Sequence, residues 1–145
     1  MNLTQRPPRS PRVRLGGYVI LPRMLDKCRA ELAGTLGEYN YNGPLDQQFL
    51  RFTGTDPEAL KAEVAKGLGD GELLAWITAH ATHNREPWVI AQWSTFRESA
   101  VPSDNESREH MNERLASNGA AARDDLATRF DALDLDDYVA FGGKA

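Results

Sequence analysis

An all-α fold is what this sequence predicts, on three observations. Apolar residues recur at three- and four-residue steps through most of the chain, prolines and glycines stand where helices would start and stop, and no segment alternates apolar and polar residues over strand length. The one strand candidate, Tyr18 to Leu21, is short. At 145 residues the chain is long enough to bury a core without disulfides or metals. The expected organisation is an extended Arg/Pro-rich arm over residues 1–17, packed across a single helical domain of about six helices over residues 18–145.

The elements follow in order. Pro7, Pro8 and Pro11 hold the arm extended, and Gly16-Gly17 lets the chain turn before the first helix. That helix starts at Pro22, a favoured first-turn residue, and stops at Gly34. Leu21, Leu25, Cys28 and Leu32 form its apolar stripe, with Arg23, Asp26 and Lys27 expected on the opposite, polar side. Gly34, Gly37 and Gly43 with Asn40 and Asn42 make 35–43 a loop, and Pro44 opens a short helix with Leu45, Phe49 and Phe52 on one face. Thr55 and Glu58 have capping-box spacing before a helix that ends at Gly67. Asp70 is expected to cap the next helix, which runs to about Thr82, and Pro87 to open another. These two carry Leu73, Leu74, Ile77, Val89, Ile90, Trp93 and Phe96, which predicts them at the centre. A second capping-box pattern, Ser103 and Glu106, begins a surface helix that ends at Asn118-Gly119. The last helix presents Leu126, Phe130 and Leu133, and Tyr138, Val139 and Phe141 form a short tail folded back.

Charge is unevenly placed. Up to Arg29 there are seven basic residues and one acid, against ten basic and twenty acidic residues in the remainder, within a net charge of −4. A basic front and an acidic body attract, so the arm either lies across its own domain or offers a site to an anionic ligand or partner. Nucleic acid is a poor fit, because the arm has no aromatic residue before Tyr18 to stack on bases and the body repels a phosphate backbone. No run is apolar for long enough to span a membrane, and the prolines of the arm interrupt any signal-peptide core. With one cysteine, the default expectation is a cytoplasmic protein.

No motif points to a cofactor, a metal or a reaction, so the catalytic residues are unknown. His80 and His83 stand one helical turn apart, but two ligands are too few for a metal; histidines at a helix end bonding its last carbonyls is the favoured reading. Cys28 on the apolar stripe reads as a core thiol. Trp76, Trp88 and Trp93 read as packing residues.

Three stretches, "PRSPRVRLGGYVILPRMLDKCRAELAG", "GEYNYNGPLD" with the Phe49, Phe52 and Gly54 that follow, and "GELLAWITAH", give the chain a family resemblance. It resembles a bacterial domain-of-unknown-function family, number 5069. The resemblance implies a small bacterial cytoplasmic protein of mainly helical fold, and it implies no activity and no catalytic residue.

The candidate binding residues are Arg12, Arg23 and Asp26 with the loop residues Glu38, Tyr39, Tyr41 and Asp46. Arginine offers forked donors to a carboxylate or phosphate, acids can orient those forks, and tyrosines both pack and hydrogen-bond. The preferred expectation is a cleft between the first helix and the 38–46 loop that binds a small anionic molecule. The alternative is a protein-interaction module using the basic arm or the acidic C-terminal helices. The competing structural explanation is that these charges pair locally and pin the arm.

Overall fold

Seven α-helices and no strand make up the fold in the computed structural model, which describes all of residues 1–145. They are α1 (Leu21–Leu32), α2 (Pro44–Thr53), α3 (Pro57–Val64), α4 (Asp70–His80), α5 (Pro87–Ser99), α6 (Asn105–Ser117) and α7 (Arg129–Ala140). The chain is all-α as the periodicity predicts, with one helix more than the expected count of about six. No helix is long and apolar enough to cross a membrane. The chain divides into two compact units, Met1–Ser94 and Thr95–Ala145, and the division falls within α5.

In the first unit α1 packs on α2 and α3, and α3 packs on α4. The strand candidate at Tyr18 is instead the end of a tight turn. Leu15 and Tyr18 exchange backbone hydrogen bonds of 3.1 and 3.0 Å around Gly16 and Gly17, whose φ angles are 58° and 85°. Both positive values favour glycine, which has no Cβ to clash there. A Cβ on Gly16 would meet the Leu74 side chain at 2.6 Å, so the turn is also seated against α4. Three residues on, Ile20 is fully buried with φ 72° and forms the N-cap of α1. A β-branched residue there carries about 1–3 kcal/mol of backbone strain, held in place by the surrounding packing.

Helix α1, rather than α4 and α5, takes the centre. Leu21 through Cys28 are all buried, including Arg23, Asp26 and Lys27, which amphipathic spacing alone would place in solvent. The helix is covered on its polar side too, by the arm and by the 38–46 loop, and its charges find partners there. Its stripe ends sooner than the spacing implies, since Leu32 is 43% exposed. Helix α5 buries only Ser94, while Trp88 and Phe96 are 63% and 61% exposed, because the central position is already filled by α1. The Ser94 hydroxyl donates to the Gly17 carbonyl (2.7 Å) and accepts from Val19 N–H (3.2 Å).

Helix starts fall a residue from several expected caps. Asp56, not Thr55, caps α3 by accepting from Ala59 N–H (2.7 Å), while Thr55 is buried with its hydroxyl 2.7 Å from that of Thr53. Gly69 precedes α4, so Asp70 is its first residue rather than its cap, and Ala81 in extended geometry ends it before Thr82. Asp104, not Ser103, caps α6 through Ser107 N–H (2.7 Å). At positions 56 and 104 aspartate caps as well as threonine or serine does, and the backbone selects between neighbours.

In the second unit α6 packs on α7. Leu115, Ala120, Ala132 and Leu135 form its core, with Met111, Leu126 and Val139 against them. Leu126 precedes α7, which the Thr128 hydroxyl caps by accepting from Asp131 N–H (3.1 Å). The expected folded-back tail is absent: Tyr138 and Val139 lie within the helix and Tyr138 is 60% exposed.

Candidate functional site

Arg9 ties the arm to α1 and α4. Pro7 and Pro8 extend the chain and Pro8 is buried, which brings Arg9 over the side of α1 that carries Asp26. Asp26, 1% exposed, accepts from Arg9 backbone N–H (3.0 Å), Nε (2.9 Å) and Nη2 (2.7 Å). The same guanidinium donates through Nη2 to the Pro22 carbonyl (3.1 Å) and through Nη1 to Asp70 at the start of α4 (2.5 Å). Arg29, one turn along α1 from Asp26, lies 2.8 Å from Asp70 Oδ1 and donates to the Leu68 carbonyl (3.3 Å). Two arginines and two aspartates thus form a closed square joining arm, α1 and α4. Forked guanidinium contacts of this kind fix geometry as well as charge.

Electrostatics follow from those contacts. The hydrogen bond to Asp26 raises the Arg9 guanidinium above its ordinary value, against the effect of burial. Burial alone would raise the Asp70 carboxyl, but hydrogen bonds from Arg9 and Arg29 outweigh it and hold the group below the usual carboxylate range. Asp70 is therefore set to stay ionised and hold its partners, not to exchange a proton near neutral pH.

An open groove of about 450 Å³ lies beside the square. Arg6, Arg9, Arg29, Asp26 and Asp70 line it together with Met1, Pro7 and Pro8. Arg6 is exposed, and its Nη2 reaches the Met1 sulfur at 3.4 Å, a weak acceptor.

On the loop side of α1 the predicted residues meet one another. Arg23 sits over the Tyr39 ring, 5.5 Å from its centroid, and donates to the Arg9 carbonyl (3.2 Å). Lys27 Nζ lies 2.7 Å from Asp46 Oδ1, with the aspartate side chain wholly buried. Burial raises the Asp46 carboxyl, with Lys27 and the Asn42 N–H (2.9 Å) pulling the other way. The Tyr41 hydroxyl donates to the Pro57 carbonyl (2.8 Å) and neighbours Cys28; burial pushes the phenol well above its ordinary value and keeps it un-ionised. The Cys28 thiol is itself pushed up to about 11 by burial.

Of the seven candidates, then, Arg23, Tyr39, Tyr41 and Asp46 gather on the loop side of α1, while Asp26 belongs to the square on the arm side. Arg12 lies on the arm with its backbone N–H on the Ser10 hydroxyl (3.2 Å), and Glu38 is exposed on the loop. Sequence reasoning did not select Arg6, Arg9, Lys27, Arg29 or Asp70 as site residues. The excess of arginines in the arm was a signal for Arg9. Nothing local pairs it with Asp70, 61 positions away. His80 stacks on Trp76 (4.6 Å between ring centres), with Nδ1 2.8 Å from the Trp76 carbonyl, the helix-end arrangement expected of it.

A protein-family model described as "Domain of unknown function (DUF5069)" matches residues 5–139. No curated protein matches the chain.

Proposed function

Since the chain belongs to the DUF5069 family over nearly its whole length, we propose that it is a binding protein for a small anionic molecule, held in the groove between the arm, α1 and α4. The observation that carries this reading is the groove itself, where three guanidinium groups line one cavity and two of them are already oriented by carboxylates. The paired arginines and aspartates fix this side of the groove, while Arg6, exposed and set only against the Met1 sulfur, keeps its fork for a carboxylate or phosphate. The groove's volume of about 450 Å³ also falls in the range of small-molecule sites. The loop side of α1 is less suited, because Arg23, Lys27 and Asp46 are committed to partners within the fold. A bacterial, cytoplasmic setting accords with this reading, Cys28 being a free and buried thiol.

The experiment is a thermal-shift panel of inorganic phosphate, acetate, benzoate and succinate on the intact protein and on Arg6→Ala. A ligand that binds only the folded state raises the melting temperature by mass action. Stabilisation that disappears in Arg6→Ala supports the reading. No shift with any anion, or a shift that Arg6→Ala leaves intact, overturns it. A second reading, a protein-docking surface, is favoured by the exposed Trp88 and Phe96 on α5. A Trp88→Ser, Phe96→Ser variant that keeps anion binding but loses self- or partner association in sedimentation would support it.

A further inference from the structure

Resting on that reading, we infer that the groove takes a compact dianion, a phosphate monoester, held between the Arg6 guanidinium and the Met1 α-ammonium. Charge counting comes first. Four cations belong to the lining, Arg6, Arg9, Arg29 and the Met1 α-ammonium, against two carboxylates, Asp26 and Asp70. Arg9 and Arg29 are the cations that pair with those aspartates. Arg6 and the Met1 α-ammonium are thus two surplus positive charges on one cavity of about 450 Å³, and a doubly charged ligand matches them.

Both surplus charges are held in place. The Met1 carbonyl accepts from the Thr35 hydroxyl (2.7 Å), and two residues on the buried Leu3 donates its N–H to the Thr35 carbonyl (2.9 Å). A terminus tied down in this way does not fray. Arg6 returns to the same residue, with Nη2 3.4 Å from the Met1 sulfur, so the guanidinium and the α-ammonium share one corner of the groove. Like charges brought together repel, and an anion between them relieves that repulsion. Their convergence also selects the chemistry. A phosphate monoester gathers a charge of about −1.5 to −2 at pH 7 on the three oxygens of one group. A dicarboxylate spreads its two charges to separate ends. The guanidinium fork matches two of the phosphate oxygens and the ammonium meets the third.

The test compares phenyl phosphate with methyl phenyl phosphate, its singly charged diester, and with succinate, by calorimetric titration at pH 7. The proteins are the wild type, Arg6→Ala and a form acetylated on the α-amine. Arg6 makes no buried contact, and acetylation leaves the Met1 carbonyl on the Thr35 hydroxyl, so both forms keep the fold; unchanged melting without ligand verifies this. The expected result is that phenyl phosphate binds the wild type at least tenfold more tightly than the diester or succinate. Acetylation should remove that preference, and Arg6→Ala should abolish binding of all three. Diester or succinate binding as tight as that of phenyl phosphate, or a preference that survives acetylation, overturns the dianion inference while anion binding at Arg6 stands. No Arg6-dependent binding of any probe overturns both.

Discussion

Replacing Arg9 by alanine removes a side chain that joins the arm to α1 and α4. Its guanidinium supplies two of the three hydrogen bonds that Asp26 receives and one of the two arginine contacts of Asp70. Asp26 is 1% exposed, so the variant leaves a buried carboxylate short of partners. Breaking a fully buried pair costs about 3–5 kcal/mol. Three features reduce that figure here. The Arg9 side chain is 34% exposed, the backbone N–H of residue 9 stays on Asp26 at 3.0 Å, and Arg29 Nη1 is 3.7 Å away. A loss of about 2–3 kcal/mol is the result, equivalent to a melting temperature lower by about 5–10 °C for a chain of this size. Circular dichroism melts of Arg9→Ala, Asp26→Asn and the double variant provide the assay, since coupled partners give a double-variant loss smaller than the sum of the single losses. Arg6→Ala serves as the surface control and should change stability by less than about 0.5 kcal/mol. An Arg9→Ala protein that melts within 1 °C of the wild type, or strict additivity with Asp26→Asn, would refute the reasoning.

Three further predictions follow from burial and titration. Leu3→Ala should cost about 2–4 kcal/mol, because Leu3 is 1% exposed, whereas Leu32→Ala on the same assay should cost less than about 0.5 kcal/mol; equal effects would contradict the packing described for arm and stripe. Cys28 should react slowly with a thiol reagent at pH 8 in the folded protein and promptly in urea, since a thiol pushed up to about 11 is ionised in about one molecule in a thousand at that pH; rapid native labelling would place the thiol at the surface. The Asp70 carboxyl is held below its ordinary value in the folded state, so its stabilisation is complete above about pH 4 and lost as pH falls through the lower folded value. Urea unfolding of Asp70→Asn should therefore show a deficit against wild type at pH 7 that narrows as pH falls below about 4, and a deficit constant down to pH 2 would rule out this linkage.

What the sequence determined by itself is the local layer of this protein. Pro22, Pro44, Pro57 and Pro87 each stand in the first turn of a helix, since proline's fixed φ and missing N–H suit that turn and no later one. Gly54 ends α2 with φ 67°, a conformation open to glycine at little cost. Cys28 is buried where helical spacing puts it, between Leu25 and the turn that follows. Such signals act within a few residues and so survive reading one segment at a time.

Tertiary structure decided which helix is central and which charges meet. Spacing along α1 separates Arg23, Asp26 and Lys27 from the leucine stripe but says nothing of what covers them; only the returning arm and the 38–46 loop turn that polar side into an interior one. The bulk of Trp88 and Phe96 suggested a core that α1 had already filled. Asp70 shows the limit most plainly. Its position at a helix start is legible as a local preference for an acid near the dipole, while its pairing with Arg9 and Arg29 exists only because the chain brings residues 61 and 41 positions distant to one place. Pairing over that range is set by the packing of whole helices, and a linear pattern carries no record of it.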